Sequence, residues 1–192
     1  MTESRASHSL ARPAFWGEGL TTGTNSFALP AGTVTFLLSD VEGSARGWES
    51  DSGAMADAVV IHYRILDEAI TGHGGVRPVE QGEGDSVEAA FARASDALGA
   101  ALEAQLALGA QRWPGETSLR VRIALHTGEA ELRDEGNYFG VALARCARLR
   151  AIATGGQTVL SRAVHDLVAD RLPSGVELRD CGGSLPSCHR RS

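Results

Sequence analysis

Short β-rich runs alternate with longer segments of helical spacing along most of this chain. The first run, residues 33–39, is apolar or β-branched at nearly every position, which is typical of a buried strand. From about residue 51 to residue 70 apolar side chains recur at helical spacing, and the Gly-rich stretch 72–75 ends that helix. A chain that alternates in this way folds into a sheet covered by helices. The pattern therefore predicts an α/β or α+β domain.

A Gly-rich turn interrupts the alternation in the middle of the chain. Residues 76–80 and 86–91 have the composition of two short strands around that turn, which predicts a hairpin. The same reasoning predicts helices over about 93–111, 138–152 and 162–169, and strands over 119–125, 157–160 and 176–178. The resulting order, β-α-β-β-α-β-α-β-α, favours a ferredoxin-like, split βαβ sandwich.

Both ends of the chain differ from this regular middle. Residues 1–31 are rich in Ser, Thr, Gly and Pro without a sustained period, so we expect a flexible leader before a domain at 32–180. The leader lacks the apolar core of a secretory signal peptide. Residues 181–192 have no strand period, and we expect an irregular tail there.

Composition and charge exclude several classes of protein. No apolar run approaches the ~20 residues that span a bilayer, so we expect no membrane partner. The net charge of −6 argues against a nucleic-acid binder but leaves room for a nucleotide pocket. The three cysteines form no even framework and suit a reducing cytoplasm. All 18 residues counted as Lys or Arg are Arg, so no mechanism can use a lysine of this chain.

Two carboxylates stand where predicted strands begin and end. Asp40 follows the first strand, and Asp85 lies in the hairpin turn; the topology lets the two converge at one sheet edge. Paired carboxylates suit Mg²⁺ or Mn²⁺, which keep water and phosphate oxygens as further ligands. An N-cap Asp and a turn Asp without a metal are the alternative. The backbone amides after Asp40 precede a helix and suit phosphate: those of Val41, Glu42, Gly43 and Ser44.

Five stretches that follow one another in order carry a family resemblance: residues 32–44 around Asp40, residues 80–86 around Asp85, and residues 124–129, 137–149 and 155–161. Together they resemble the catalytic domain of the class III adenylyl and guanylyl cyclases. The resemblance covers about residues 32–180 and is strongest to the bacterial branch whose cyclase domains are often fused to ATPase and helix-turn-helix regulator domains. It implies a head-to-tail homodimer with active sites between the chains.

The resemblance also implies a reaction. Asp40 and Asp85 would hold two Mg²⁺ or Mn²⁺ ions per site, one lowering the pKa of the ribose 3′-hydroxyl and one holding the triphosphate of ATP. The 3′ oxygen attacks the α-phosphorus and gives a 3′,5′-cyclic nucleotide and pyrophosphate. The catalytic arginine of the family falls on Arg148, where it would stabilise charge on the phosphates.

Several positions depart from the family pattern. The base-reading lysine and aspartate fall on Gln81 and Asn137, whose amides each donate or accept, so we expect relaxed choice between ATP and GTP. The ribose-orienting asparagine falls on Ala144, which predicts low activity. The family's lysine-bearing strand and its final strand have no counterpart after residue 180, so we expect a C-terminally truncated fold.

Two functions of different classes fit these residues. One is a weak adenylate cyclase of the cytoplasm, favoured by Asp40, Asp85 and Arg148. The other is a catalytically impaired pseudo-cyclase that binds nucleotide or dimerises in signalling, favoured by Ala144 and the absence of lysine. A heterodimer in which another cyclase chain supplies the missing groups is a further alternative to the homodimer.

Overall fold

A mixed sheet with helices on both faces forms the body of the chain. The computed structural model describes residues 28–80, 84–115, 117–134, 136–180 and 187–189. None of the helices in these ranges combines the length and apolarity that a membrane span needs. The elements are β1 Gly32–Val41, α1 Ser44–Ser50, α2 Ser52–Gly72, β2 Val87–Phe91, α3 Ala94–Ala110, β3 Val121–Asp134, β4 Asn137–Phe139, α4 Val141–Ile152, β5 Thr158–Leu160, α5 Arg162–Val168, β6 Leu178–Arg179 and β7 Ser187–His189.

The sheet has the order β2-β1-β3-β5-β7-β6, and β4 pairs with β3 off this path. β1 runs antiparallel to both of its neighbours, β2 and β3, whereas β3 and β5 are parallel. The helix-covered sheet of mixed α+β class confirms the fold class that the order of elements predicts. It also confirms that the first strand lies beside the strand that follows the Gly-rich turn.

Two apolar cores lie on opposite faces of the sheet. The larger core packs α2, α3 and α5 against the face that carries Leu37. The smaller core packs α4 and β4 against the face that carries Phe36, whose ring meets Tyr138 edge-on at 5.0 Å between centroids. Successive side chains of β1 thus enter opposite cores, and both Phe36 and Leu37 are fully buried. A strand buried on both faces explains the run of apolar or β-branched residues at 34–38.

Several elements differ from the sequence prediction. The first strand of the predicted hairpin is reduced to a single bridge between Val76 and Ala90. Residues 137–139 form β4, so α4 begins at Val141, after Gly140 with a φ of 107° that only glycine adopts readily. β3 continues well past residue 125, because residues 126–130 still pair with β1 and residues 131–134 pair with β4.

The two ends of the chain also differ from expectation where the structure describes them. Residues 187–189 form β7, which pairs with β5 and β6, so the prediction of an irregular tail is wrong for these residues. Within the predicted leader, Leu29 packs on the smaller core, and the Pro30 carbonyl accepts a hydrogen bond from Tyr138 at 2.7 Å. Residues 1–27, 181–186 and 190–192 lie outside the described residues.

A carboxyl group is largely buried on the face that α4 covers. Glu88 stands opposite Leu38 in the pairing of β1 with β2. Burial raises the pKa of Glu88 to about 7, and the positive charge of Arg150 acts in the opposite direction. Since the pKa in the folded state lies above the ordinary value of 4.5, the folded protein binds this proton more tightly than the unfolded chain. The Glu88 carboxyl group therefore lowers the free energy of unfolding, by an amount that increases as the pH rises from about 4.5 to about 7.

We expect Glu88→Gln to raise the free energy of unfolding by about 2 kcal/mol more at pH 8 than at pH 5. The neutral amide removes the cost of burying a charge at pH 8, whereas much of that cost is already absent at pH 5. Urea denaturation at the two pH values measures the difference. The matched control Glu68→Gln, on the exposed side of α2, should have the same small effect at both. An equal effect of Glu88→Gln at both pH values would contradict the assignment.

Candidate functional site

Asp40 and Asp85 lie together at one edge of the sheet. Asp40 stands near the end of β1, and Asp85 lies two residues before β2, whose Val87 pairs with Ser39 of β1. The negative charge of Asp40 contributes to raising the pKa of Asp85, as expected for neighbouring carboxylates. The topology thus brings the pair together as predicted from the sequence. Their role as metal ligands stays a prediction.

The carboxyl group of Asp85 has one oxygen with no donor. Burial is the main cause that raises its pKa, while hydrogen bonds from the Ser44 hydroxyl and the Val41 backbone amide lower it. The other oxygen, Oδ2, is buried and has no hydrogen-bond partner among the described residues. A buried carboxylate oxygen without a partner is costly unless a cation or a ligand donor reaches it. This orphaned oxygen therefore fits a metal ion or another cation.

Asp40 pairs with two guanidinium groups. Arg122 binds both carboxylate oxygens, through Nε to Oδ1 and through Nη2 to Oδ2 at 3.0 Å. The register of β1 with β3 places Arg122 directly opposite Asp40. Arg150, from the last turn of α4, brings its Nε to 3.5 Å from the same Oδ2. Two guanidinium groups thus pair with the single carboxylate of Asp40.

Two side chains of α2 contact the backbone of the turn that carries Asp85. The Nε2 atom of His62 lies 3.1 Å from the Asp85 carbonyl oxygen, and the Tyr63 hydroxyl donates to the Gly84 carbonyl. Burial lowers the pKa of His62 to about 4, so the ring is neutral at pH 7 and donates from Nε2. Sequence reasoning missed both residues. The position of His62 among the apolar residues of α2 is the signal that could have identified it.

Two of the four amides predicted to bind phosphate already have partners. The Glu42 amide donates to the Arg120 carbonyl at 2.9 Å, and the Val41 amide is directed at Asp85. A phosphate oxygen would have to compete with these partners, and phosphate binding by the two amides stays a prediction. Gly43 has a left-handed backbone with a φ of 69°, and α1 begins at Ser44. Phosphate binding by the amides of Gly43 and Ser44 stays a prediction as well.

Asn137 is buried, and both ends of its amide are engaged. Oδ1 accepts a hydrogen bond from the Glu80 backbone amide at 2.7 Å. Nδ2 donates to the carboxylate of Asp134 at 2.9 Å and 3.1 Å. These partners hold the amide in one orientation in the free chain, and the expectation that it turns to suit either purine stays a prediction. Gln81, the other predicted base-reading residue, lies outside the described residues.

Arg148 and Ala144 lie one helical turn apart on the exposed side of α4. Arg150 is two residues further on, which corresponds to about 200° around a helix. Arg150 points to Asp40, so Arg148 points away from the carboxylates of its own chain. The structure thus brings Asp40, Asp85 and Ser44 together but leaves Arg148 outside that group.

The donor set is a pair of carboxylates rather than a closed cage. Within the described ranges, no cluster of three or more His, Cys, Asp and Glu side chains has the arrangement of a metal site. Mg²⁺ and Mn²⁺ commonly take one or two carboxylates from the protein and complete their coordination with water and substrate phosphates. Asp40 and Asp85, with the orphaned Oδ2, fit that kind of site.

Known cyclases share this fold. A structure of an adenylate cyclase from Trypanosoma brucei in its monomeric state superposes with a TM-score of 0.72 and 24% identity, covering 86% of this chain and 92% of that one. An adenylate cyclase of Lachancea kluyveri is 29% identical over 158 residues, which are 70% of this chain and 8% of that protein.

A relative of higher identity is an uncharacterized protein of Mycobacterium tuberculosis. It is 51% identical over 156 residues, which are 80% of this chain and 51% of that protein. The chain thus spans about half the length of the curated relatives that it matches at such identity. No family model matches the chain.

We expect His62→Phe to reduce the acid sensitivity of the fold. Because His62 stays neutral in the folded protein down to about pH 4 but takes up a proton near pH 6.5 when unfolded, it makes stability fall as the pH drops through this window. The loss of unfolding free energy between pH 7 and pH 5 should therefore be smaller in the variant by about 2 kcal/mol.

Chemical denaturation of both proteins at the two pH values measures this difference. The control His165→Phe, in α5, should keep the wild-type dependence on pH. A wild-type pH dependence in His62→Phe would show that His62 is not the buried neutral group described above.

Proposed function

We propose that this chain, which has the fold of the adenylyl and guanylyl cyclase catalytic domains, is a nucleotidyl cyclase. In this proposal it converts ATP, with GTP as a second substrate, to the 3′,5′-cyclic nucleotide and pyrophosphate. The bond from the 3′ oxygen to the α-phosphorus forms, the bond from the α-phosphorus to the pyrophosphate oxygen breaks, and the 3′ proton is released. The observation that carries the proposal is the pair Asp40 and Asp85 with its orphaned, buried oxygen.

Different residues of the site would bind the metal ions, orient the carboxylates and attract the polyphosphate. Asp40 and Asp85 would hold Mg²⁺ or Mn²⁺, two ions per site, whose chemistry is to acidify the 3′-hydroxyl and to neutralise phosphate charge. The Ser44 hydroxyl orients the Asp85 carboxylate, and His62 holds the backbone of Asp85. Arg122, fixed beside Asp40, supplies positive charge to a polyphosphate bound at this edge.

Two copies of the chain complete each site in this proposal. Arg148 is exposed and points away from Asp40 of its own chain, so it would serve the phosphates bound by a second copy. Exposed apolar side chains beside α4 offer a surface for that copy to cover: Leu132, Phe139 and Val141. A heterodimer with a chain that carries an asparagine at the position of Ala144 is the alternative to the homodimer.

A nucleotide-binding or dimerising module without catalysis is the second candidate function. Ala144 has no group that can hydrogen-bond a ribose, and both oxygens of Asp40 are held by arginine. Both features lower activity. The orphaned oxygen of Asp85 favours a chain that binds metal over one that only dimerises, because a dimerising module gains nothing from a buried carboxylate without a partner.

We expect the purified chain to form cyclic nucleotide from ATP with Mn²⁺, at a rate that rises more steeply than linearly with protein concentration. Asp85→Asn should lower this rate about 100-fold or more, because the neutral amide is a poor metal ligand. The unfolding free energy should not fall, since the substitution removes a buried charge and Oδ2 has no partner to lose among the described residues. Chromatography of the products measures the rate.

Asp57→Asn is the matched control for the loss of one carboxylate. Asp57 is exposed on α2, and its substitution should leave the rate unchanged. Unchanged turnover in Asp85→Asn would contradict the metal assignment. A folded chain that binds ATP in equilibrium dialysis without forming product would instead identify the non-catalytic module.

A further inference from the structure

Arg150 reaches the two segments that carry the carboxylates. Its Nη1 donates to the Ser39 carbonyl at 3.3 Å and to the Ser86 hydroxyl at 3.3 Å. Ser39 precedes Asp40 in β1, and Ser86 follows Asp85, so one guanidinium bridges both segments. The Arg150 side chain is only 22% exposed, so its charge is largely shielded from water. The guanidinium thus lies against Asp40 and against the residue that follows Asp85.

The two arginines of the site are held differently. Arg122 grips Asp40 with two parallel hydrogen bonds and is fixed by the register of neighbouring strands. The contacts of Arg150 are all 3.3 Å to 3.5 Å long, at or beyond the outer limit of hydrogen-bond geometry. Its long side chain comes from a helix and has other rotamers available. Arg150 is therefore the partner that can withdraw.

The Arg150 guanidinium and a divalent ion would compete for the same carboxylate, Asp40. Both carry positive charge, and like charges at a spacing of a few ångströms in a partly buried site repel strongly. A divalent ion between Asp40 and Asp85 would meet Arg150 at the Oδ2 atom of Asp40. The Asp40 carboxylate therefore cannot bind the divalent ion and the Arg150 guanidinium equally well at the same time.

We propose that Arg150 is a resident cation at Asp40, which pairs with this carboxylate in the free chain and withdraws when a divalent ion binds. The inference rests on the proposed function, because it takes Asp40 and Asp85 as metal ligands. Arg150 is then a positioning residue. It offsets the charge of Asp40 in the free chain and sets the metal concentration at which the site fills.

Metal binding to the full chain without nucleotide tests this inference apart from activity. The electron paramagnetic resonance signal of free Mn²⁺ reports how much of the ion is bound. We expect Arg150→Gln to bind Mn²⁺ about ten-fold more tightly than the wild type, because a competing positive charge is removed. Arg150→Met removes the same charge through a different side chain and should give the same gain, so the test does not depend on the folding of one variant.

Arg145→Gln is the matched control. Arg145 is exposed on the same helix, so its substitution removes an equal charge without touching Asp40, and it should leave the Mn²⁺ affinity within about two-fold of the wild type. Asp85→Asn should weaken binding in the wild-type and the Arg150→Gln backgrounds alike.

Other outcomes overturn the inference in distinguishable ways. Equal or weaker Mn²⁺ binding in both Arg150 variants, with binding still lost in Asp85→Asn, would overturn the resident-cation role and leave the metal site standing. An equal gain in Mn²⁺ affinity in Arg145→Gln would show that the gain comes from the net charge of the chain, and this outcome would also overturn the inference about Arg150. Mn²⁺ binding that is absent from the wild type and both Arg150 variants would overturn the metal site and the inference together.

Discussion

The pairing of β1 with β2 on one side and β3 on the other determines where the charged groups of the site stand. The register that sets Ser39 opposite Val87 brings Asp85 to the end of β1, and the register that sets Asp40 opposite Arg122 forms the bidentate ion pair. A slip of one residue would turn every side chain of β1 to the other face. Since Phe36 and Leu37 fill different cores, such a slip would break both. Core packing on both faces therefore fixes the register of β1, and the register fixes the positions of the charged side chains in the site.

The site keeps polar atoms in environments that are unfavourable for stability. Asp85 has a buried oxygen without a donor, and the buried ring nitrogen Nδ1 of His62 likewise has no partner among the described residues. A buried polar atom of this kind costs about 1–3 kcal/mol. The His62 ring is still needed, because its Nε2 holds the backbone of the turn on which Asp85 stands. The fold thus stabilises the position of the Asp85 carboxylate while leaving one of its oxygens free for a ligand.

The sequence predicts the elements whose side chains follow a simple period, and it misses contacts that depend on register. β1, α2 and α3 are predictable because their apolar residues repeat at strand or helix spacing. The pairing of Asp40 with Arg150 links residues 110 positions apart and depends on how α4 lies on the sheet, which no local pattern encodes. The amide of Asn137 is fixed by Glu80, 57 residues away in sequence. β7 pairs through its backbone, so its composition gives no signal.

α4 carries two of the arginines discussed above, Arg148 and Arg150. Its buried side is anchored at Cys146, whose thiol donates to the Ala124 carbonyl at 3.4 Å and the Phe36 carbonyl at 3.6 Å. Beyond that anchor, the last turn presents Arg148 to the outside and Arg150 to Asp40. The two side chains leave the helix in different directions, because two residues correspond to about 200° around its axis. The packing of Cys146 between the helix and the sheet therefore determines both directions at once.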